Sequence, residues 1–248
     1  MRAILTYHSI DASGSAISVD AATFRRHVRW LATSGVEITT IEHLVTSPPE
    51  TEAVALTFDD GFTSFASHGW PLLRDHGFRV TLCVVADRVG RTNGWSTLGR
   101  TIPSLPLLDW ASLARLAEEG VTLGSHSRTH CDLRACSEDG LADEVAGAAA
   151  RIAAETGRRP ALFAYPFGAW DQSVRSAVGA THRHACTTAL RPLGDVEDPL
   201  CLPRLDAYYL RTPGRLESWG SAGLRRYLWL RARGRSLRRR LGKTGVGA

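Results

Sequence analysis

The chain has 248 residues, 44% of them hydrophobic and 22% charged, enough apolar content for one large α/β domain or two small ones, which excludes disordered, collagenous and coiled-coil classes. The net charge of +5 is unevenly spread: nine of the 30 basic residues lie in 221–248, which has no acid, so residues 1–220 hold 21 bases against 25 acids, a net −4. A body of that sign repels phosphates on average, so no specific nucleic-acid partner is expected, and any basic surface is C-terminal.

Five cysteines at irregular spacing, with no CxxC pair, argue against a disulfide scaffold or a cysteine-rich zinc module and for reduced thiols. The N-terminal apolar run is only about five residues, where a secretory segment needs roughly 7–15, and no stretch reaches the ~18 apolar residues of a membrane span. A cytoplasmic location is the resulting expectation. Arginine supplies almost all the positive charge, Lys243 being the sole lysine.

In chain order, short apolar runs predict strands at Ala3–Tyr7, Ala53–Phe58, Arg79–Val85, Val121–Ser125, Ala161–Tyr165 and His184–Thr188, each apolar enough to be buried on both faces as in a parallel sheet. Helical spacing runs between them. Asp20 precedes Phe24, Val28 and Leu31; Asp109 precedes Leu113 and Leu116; Ser137 opens an alanine-rich run that stops at Gly157. Pro48-Pro49, Thr92-Asn93-Gly94 and Arg191–Gly194 mark loops. The alternation predicts βα units in a barrel-like sheet over residues 1–220, with 221–248 as a basic amphipathic C-terminal tail.

Three motifs fall at strand ends, where α/β folds place chemistry. Thr57-Phe58-Asp59-Asp60-Gly61 ends a strand in two adjacent carboxylates, one able to ligate a metal while the other accepts a proton from water. Ser125-His126-Ser127-Arg128-Thr129-His130 sets two imidazoles four positions apart, within reach of one ion. It is not a zinc-protease HExxH, because Ser127 stands where that motif needs its glutamate. Ala164-Tyr165-Pro166-Phe167-Gly168 runs a strand into a proline-fixed bend, from which the Phe167 backbone N–H is a candidate oxyanion donor. Trp95, Trp170 and Trp219 suit a sugar site. On spacing alone each motif also has a plainer reading: a hairpin turn, a surface histidine pair and a packed strand exit.

The motifs TFDDG, SHSRTH and AYPFG, in that order, resemble the polysaccharide deacetylase (NodB-homology, carbohydrate esterase 4) family over most of residues 1–210. The resemblance implies an α/β fold, a distorted (β/α) barrel of the NodB-homology type. It also implies a metal-dependent enzyme that removes N-acetyl, sometimes O-acetyl, groups from sugars. Carried over residue by residue, Asp59 matches the catalytic base, and Asp60, His126 and His130 match the metal ligands. The cofactor implied is a divalent metal, zinc by default, with nickel, cobalt and iron as other occupants of such a site.

Two departures stand out. The family's third motif usually has arginine where this chain has Ala164, and its late Leu-x-His motif is absent, no histidine following Pro203. Thr6-Tyr7-His8-Ser9 resembles the branch of poly-N-acetylglucosamine deacetylases that supplies the acid from the N-terminus, which implies His8 as general acid. Leu202-Pro203-Arg204-Leu205 is similar to the segment presenting an arginine in that branch, so Arg204 is the candidate replacement for the guanidinium missing at 164. His8 as an ordinary strand-exit histidine and Arg204 as an edge salt-bridge residue are the plainer readings. The partners implied are an N-acetylated carbohydrate or glycolipid substrate and, through the basic tail, an anionic membrane surface, which would put the chain peripherally on the inner membrane face. Two other functions fit the same motifs: a catalytically silent carbohydrate-binding module, and an amidase acting on a non-sugar amide or cyclic imide.

Overall fold

The computed structural model describes residues 1–95 and 102–240; Leu241 and Lys243 of the expected tail lie outside them. From the N-terminus, β1 (Arg2–Tyr7) leads through the short pair β2 (Ser9–Ile10) and β3 (Ser18–Val19) to α1 (Ala21–Thr33). There follow β4 (Glu37–Thr39), α2 (Ile41–Thr46), β5 (Ala53–Phe58), α3 (Trp70–Asp75), β6 (Val80–Val84), α4 (Trp110–Glu118), β7 (Thr122–Ser125), α5 (Glu138–Ala142) and α6 (Ala148–Thr156). The chain ends with β8 (Leu162–Ala164), α7 (Gln172–Gly179), β9 (His184–Cys186), β10 (Leu205–Asp206) and α8 (Ala222–Arg240).

Every strand pair is parallel, in the order β10-β1-β5-β6-β7-β8-β9. The segment between β9 and β10 curls the sheet toward closure: Leu202 bridges Cys186, and three residues later Leu205 pairs with Leu5. The result is the distorted (β/α) barrel expected. β4 pairs with the first half of β5 and β6 with the second, so this side of β5 is shared between two strands. The short β2, β3, β4 and β10 carry too few residues for a hydrophobic pattern to reveal them.

Alternation along the strands separates two packed layers. Ala3, Leu5, Tyr7, Val54, Leu56, Phe58, Leu82 and Val84 join the large cluster beneath the helices, whereas Ile4, Ala53, Ala55, Cys83, Leu162 and Ala164 form a smaller one with Ile41 and Leu44 of α2. The second set is dominated by small side chains, as the inside of a tight barrel requires. Gly124 belongs to it: a Cβ there would come within 2.7 Å of the Cys83 sulfur. Continuing the same parity past the strand ends gives His8, Asp59 and His126, so the alternation that builds the interior also aims these three at one mouth.

The helices start and stop for the expected local reasons. Asp20 accepts the amides of Ala22 and Thr23, Asp109 that of Ser112, and Ser137 that of Gly140, while Gly157 ends α6 at φ 66°. The predicted single helix from Ser137 to Gly157 is interrupted by a π-helical turn, Asp143–Gly147. There the wider turn lets Asp143 and Glu144 both reach the loop after β7, contacts no periodicity encodes. At the other end of the chain, Leu224 and Leu228 are buried in the main cluster, so the first turns of α8 pack on the domain. No described helix is long and apolar enough to cross a membrane, and the five cysteines are free.

Candidate active site

Asp60, His126 and His130 are all buried, and their ligand atoms lie within 4.8 Å of one another. Asp60 Oδ1 is 3.5 Å from His126 Nε2 and 3.7 Å from His130 Nε2, and the two imidazole nitrogens are 3.2 Å apart. The first-turn backbone makes this convergence possible. Among the described residues, the non-glycine residues at positive φ are Asp60 (74°), Ser127 (63°), His130 (65°) and Phe167 (59°), all in the three loops predicted to carry chemistry. Each such conformation costs on the order of 1 kcal/mol, an expense found where surrounding contacts overdetermine a functional geometry.

The donor set fits a divalent cation. His126 Nδ1 is 2.7 Å from the carbonyl of Ala164; a carbonyl only accepts, so the proton sits on Nδ1 and the Nε2 lone pair faces Asp60 and His130. Asp60 Oδ1 is buried without a hydrogen-bond partner among the described residues. Burial pushes the Asp60 carboxyl above its ordinary range, and the charge of Asp59 adds to this. Burial, then the neighbouring His126, holds His130 well below the usual imidazole range. A buried acceptor with no donor among the described residues, facing two imidazoles, is the electrostatic description of a cation site.

Asp59, next in the chain, has the opposite surroundings. Arg204 Nη1 donates to its Oδ1 at 2.8 Å and Nη2 lies 2.7 Å from its Oδ2, both side chains 2% exposed. Burial alone would raise this carboxyl; the Arg204 charge and hydrogen bonds overcome that and hold it below the usual carboxylate range. Arg204 is itself anchored, its Nε donating to the Thr187 carbonyl at 3.0 Å and Nη1 to Thr6 Oγ1 at 3.1 Å. Its side chain rises along the interior from just before β10. The plainer reading of Arg204 as an edge salt bridge is therefore replaced by a buried bidentate one. His8 Nε2 is 3.9 Å from Asp59 Oδ2, and burial pushes the carboxyl of Asp206, at the end of β10, above its ordinary range.

Phe167 is also brought here, its ring edge-on to His130 at 4.7 Å between centroids, while Trp95 stacks on His130 at 4.8 Å. Trp170 is 40% exposed beside Tyr165. Trp219 is elsewhere: it packs on Trp30 and donates to the carbonyl of Met1, just before β1, so its role is in packing. Sequence reasoning missed Glu144, whose carboxylate accepts the amides of Arg128 at 2.9 Å and Thr129 at 3.0 Å and the Thr129 hydroxyl at 2.6 Å. Ser127 Oγ takes the His130 amide at 3.0 Å. Glu144 holds the loop between the two histidines, yet in sequence it is one acid of several on an amphipathic helix.

Residues 46–184 match the family model for polysaccharide deacetylase. YxkH of Bacillus subtilis (strain 168), named for the same family, is 24% identical over 183 residues, 72% of this chain and 61% of its own length, so the chain spans less than two thirds of that relative. The Streptococcus pyogenes deacetylase PplD, solved in complex with acetate, shares the fold with a TM-score of 0.70 at 18% identity, over 83% of this chain and 91% of that one. IcaB from Ammonifex degensii does so with a TM-score of 0.70 at 21% identity, over 88% and 94%.

Proposed function

Because the chain belongs to the polysaccharide deacetylase family, we propose that it is a metal-dependent hydrolase that removes acetyl groups from the nitrogen of an N-acetylated sugar in a polysaccharide or lipid-linked glycan. The observation that carries this reading is the pairing of unlike carboxylates: Asp59 ion-paired with Arg204, and Asp60 buried beside His126 and His130 with an oxygen that has no hydrogen-bond partner among the described residues. A divalent cation held by Asp60, His126 and His130, zinc by default for that donor set, would supply Lewis acidity toward a carbonyl and acidify water.

The remaining work falls to the chain's own groups. Asp59, kept ionised by Arg204, accepts a proton from the attacking water. His8, with its Nε2 3.9 Å from Asp59 Oδ2, gives a proton to the departing amine, so that water and amide become acetate and free amine. The Phe167 backbone N–H is assigned to the developing oxyanion, and the rings of Phe167 and Trp95 about His130 provide apolar faces for a sugar.

The test separates metal from base. Purified without chelator, the protein should carry about one equivalent of a divalent transition metal, lost in His126→Ala. Asp59→Asn should keep the metal and lose at least about 100-fold in turnover on acetylated glycans. Normal turnover by Asp59→Asn sinks the assignment of the base, and absence of metal after reconstitution sinks the reading as a metal hydrolase.

A further inference from the structure

The two sides of α8 have different surroundings. Leu224 and Leu228, one turn apart, are buried in the main cluster, Ala232 packs against it a turn later, and the Tyr227 hydroxyl donates to the Tyr209 carbonyl at 3.0 Å. That side is fixed to the domain. On the other side the helical period places Trp229, Leu230, Arg233 and Leu237 three, four, seven and eleven positions after Arg226, in one stripe about 16 Å long. Trp229 is 51% exposed, Leu230 52% and Leu237 59%. They are three of the six large hydrophobic side chains exposed among the described residues, gathered on one helix face.

The charge of the helix is as one-sided as its packing. Ala222–Arg240 holds eight arginines and no acid, against a net −4 over residues 1–220. Within the stripe, Arg226 and Arg233 make no ion pair among the described residues, and the Arg233 guanidinium lies over the Trp229 ring at 4.1 Å. Cation and indole are thus presented together. A clustered apolar patch edged with free cations marks an interaction surface, and its chemistry selects the partner. The phosphates of a nucleic acid would satisfy the arginines and leave Leu230 and Leu237 without an apolar partner. An anionic bilayer satisfies both: lipid phosphates for the guanidinium groups, the acyl boundary for the leucines and the headgroup level for the indole.

We propose that the outward stripe of α8 docks the domain on an anionic lipid surface. The helix lies in the plane of the interface, with Trp229, Leu230 and Leu237 entering the boundary between headgroups and acyl chains, and with Arg226 and Arg233 on the lipid phosphates. No described helix is long and apolar enough to cross a membrane, so the contact is peripheral. Leu224 and Leu228 keep the inner side of α8 on the domain throughout, so docking holds the barrel itself at the surface. The stripe shares no residue with the candidate active site, and the proposal does not depend on the deacetylase reading.

The test is sedimentation of the full chain with vesicles of phosphatidylcholine, alone or with about one third phosphatidylglycerol. The anionic vesicles should bind at least about 10-fold more tightly than the neutral ones, and less so as salt is raised. All the side chains to be substituted are exposed. Arg226→Gln with Arg233→Gln should weaken binding about 30-fold, the factor that two basic contacts to such a surface supply, whereas Arg226→Lys with Arg233→Lys should stay within about 3-fold of wild type. Trp229→Ser with Leu230→Ser should weaken it at least about 10-fold. Tryptophan emission should shift to the blue on the anionic vesicles, and Trp229→Phe should lose most of that shift while still sedimenting. Equal binding to neutral vesicles, indifference to either the glutamine or the serine pair, or a blue shift kept by Trp229→Phe overturns the proposal. A DNA duplex bound as tightly as the anionic vesicles, with the serine pair indifferent on both, makes the partner a polyanion and overturns it too. So does a dimer of the free chain that the serine pair breaks, which assigns the stripe to a second copy.

Discussion

Replacing Arg204 by methionine removes the buried partner of Asp59 while roughly keeping side-chain length. The guanidinium gives that carboxylate two hydrogen-bonded contacts, 2.8 and 2.7 Å, with both groups at 2% exposure. Unit charges ~4 Å apart at an effective dielectric of about 20 attract by ~4 kcal/mol, and breaking one side of a buried pair costs about 3–5 kcal/mol because the other charge is left uncompensated. In a chain of this size each 1 kcal/mol moves the melting midpoint by about 2–4 °C, so Arg204→Met should lower it by about 10 °C. The cost belongs to the stranded charge, so it should shrink when Asp59 is also made neutral. Urea unfolding of chelator-treated wild type, Arg204→Met, Asp59→Asn and the double variant at pH 7 should give a coupling of about 3 kcal/mol, the double variant being far more stable than the sum of the singles implies. Additivity within about 0.5 kcal/mol would refute the argument that Arg204 exists to hold Asp59 charged.

Three further outcomes are expected. His27, buried between Tyr7 and the Leu210 carbonyl, is pushed by burial from 6.5 down to about 4. The unfolded chain therefore takes up its proton first, stability is complete above about pH 6.5, and up to about 3 kcal/mol is lost as pH falls toward 4; urea midpoints at pH 7.5 and 4.5 should diverge less in His27→Gln, and an unchanged slope would count against it. Glu144→Ala strips the acceptor from two amides and a hydroxyl of the 126–130 loop and should weaken zinc binding about 10–100-fold by competition titration, with unaltered affinity the refuting result. Gly168→Ala puts a Cβ at φ 64° within 2.5 Å of the Thr188 amide and should cost about 1–3 kcal/mol in denaturant unfolding; a neutral result would mean that the Phe167 loop is free of the Thr188 strand end.

Much of the fold is written locally. The apolar runs that become β1, β5, β6, β7, β8 and β9, and the caps Asp20, Asp109 and Ser137, act over a few residues, so short-range pattern is enough to reveal them. The chemistry of TFDDG and SHSRTH is legible for the same reason. Each motif directly follows a strand, and parity continued past the strand end aims Asp59 and His126 at one mouth.

What the order of residues alone determined is therefore the parallel α/β architecture and the identity of the carboxylates and imidazoles at the strand ends. Which carboxylate is neutralised and which is left for a cation was decided only by the tertiary structure. Arg204 reaches Asp59 across 145 positions, Glu144 reaches the histidine loop from a π-helical turn, and the Ala164 carbonyl selects the tautomer of His126. The physical reason is range: hydrogen-bond periodicity and side-chain alternation repeat within a few residues, whereas the charge of a buried group is set by whichever distant atoms barrel closure brings within about 3 Å of it.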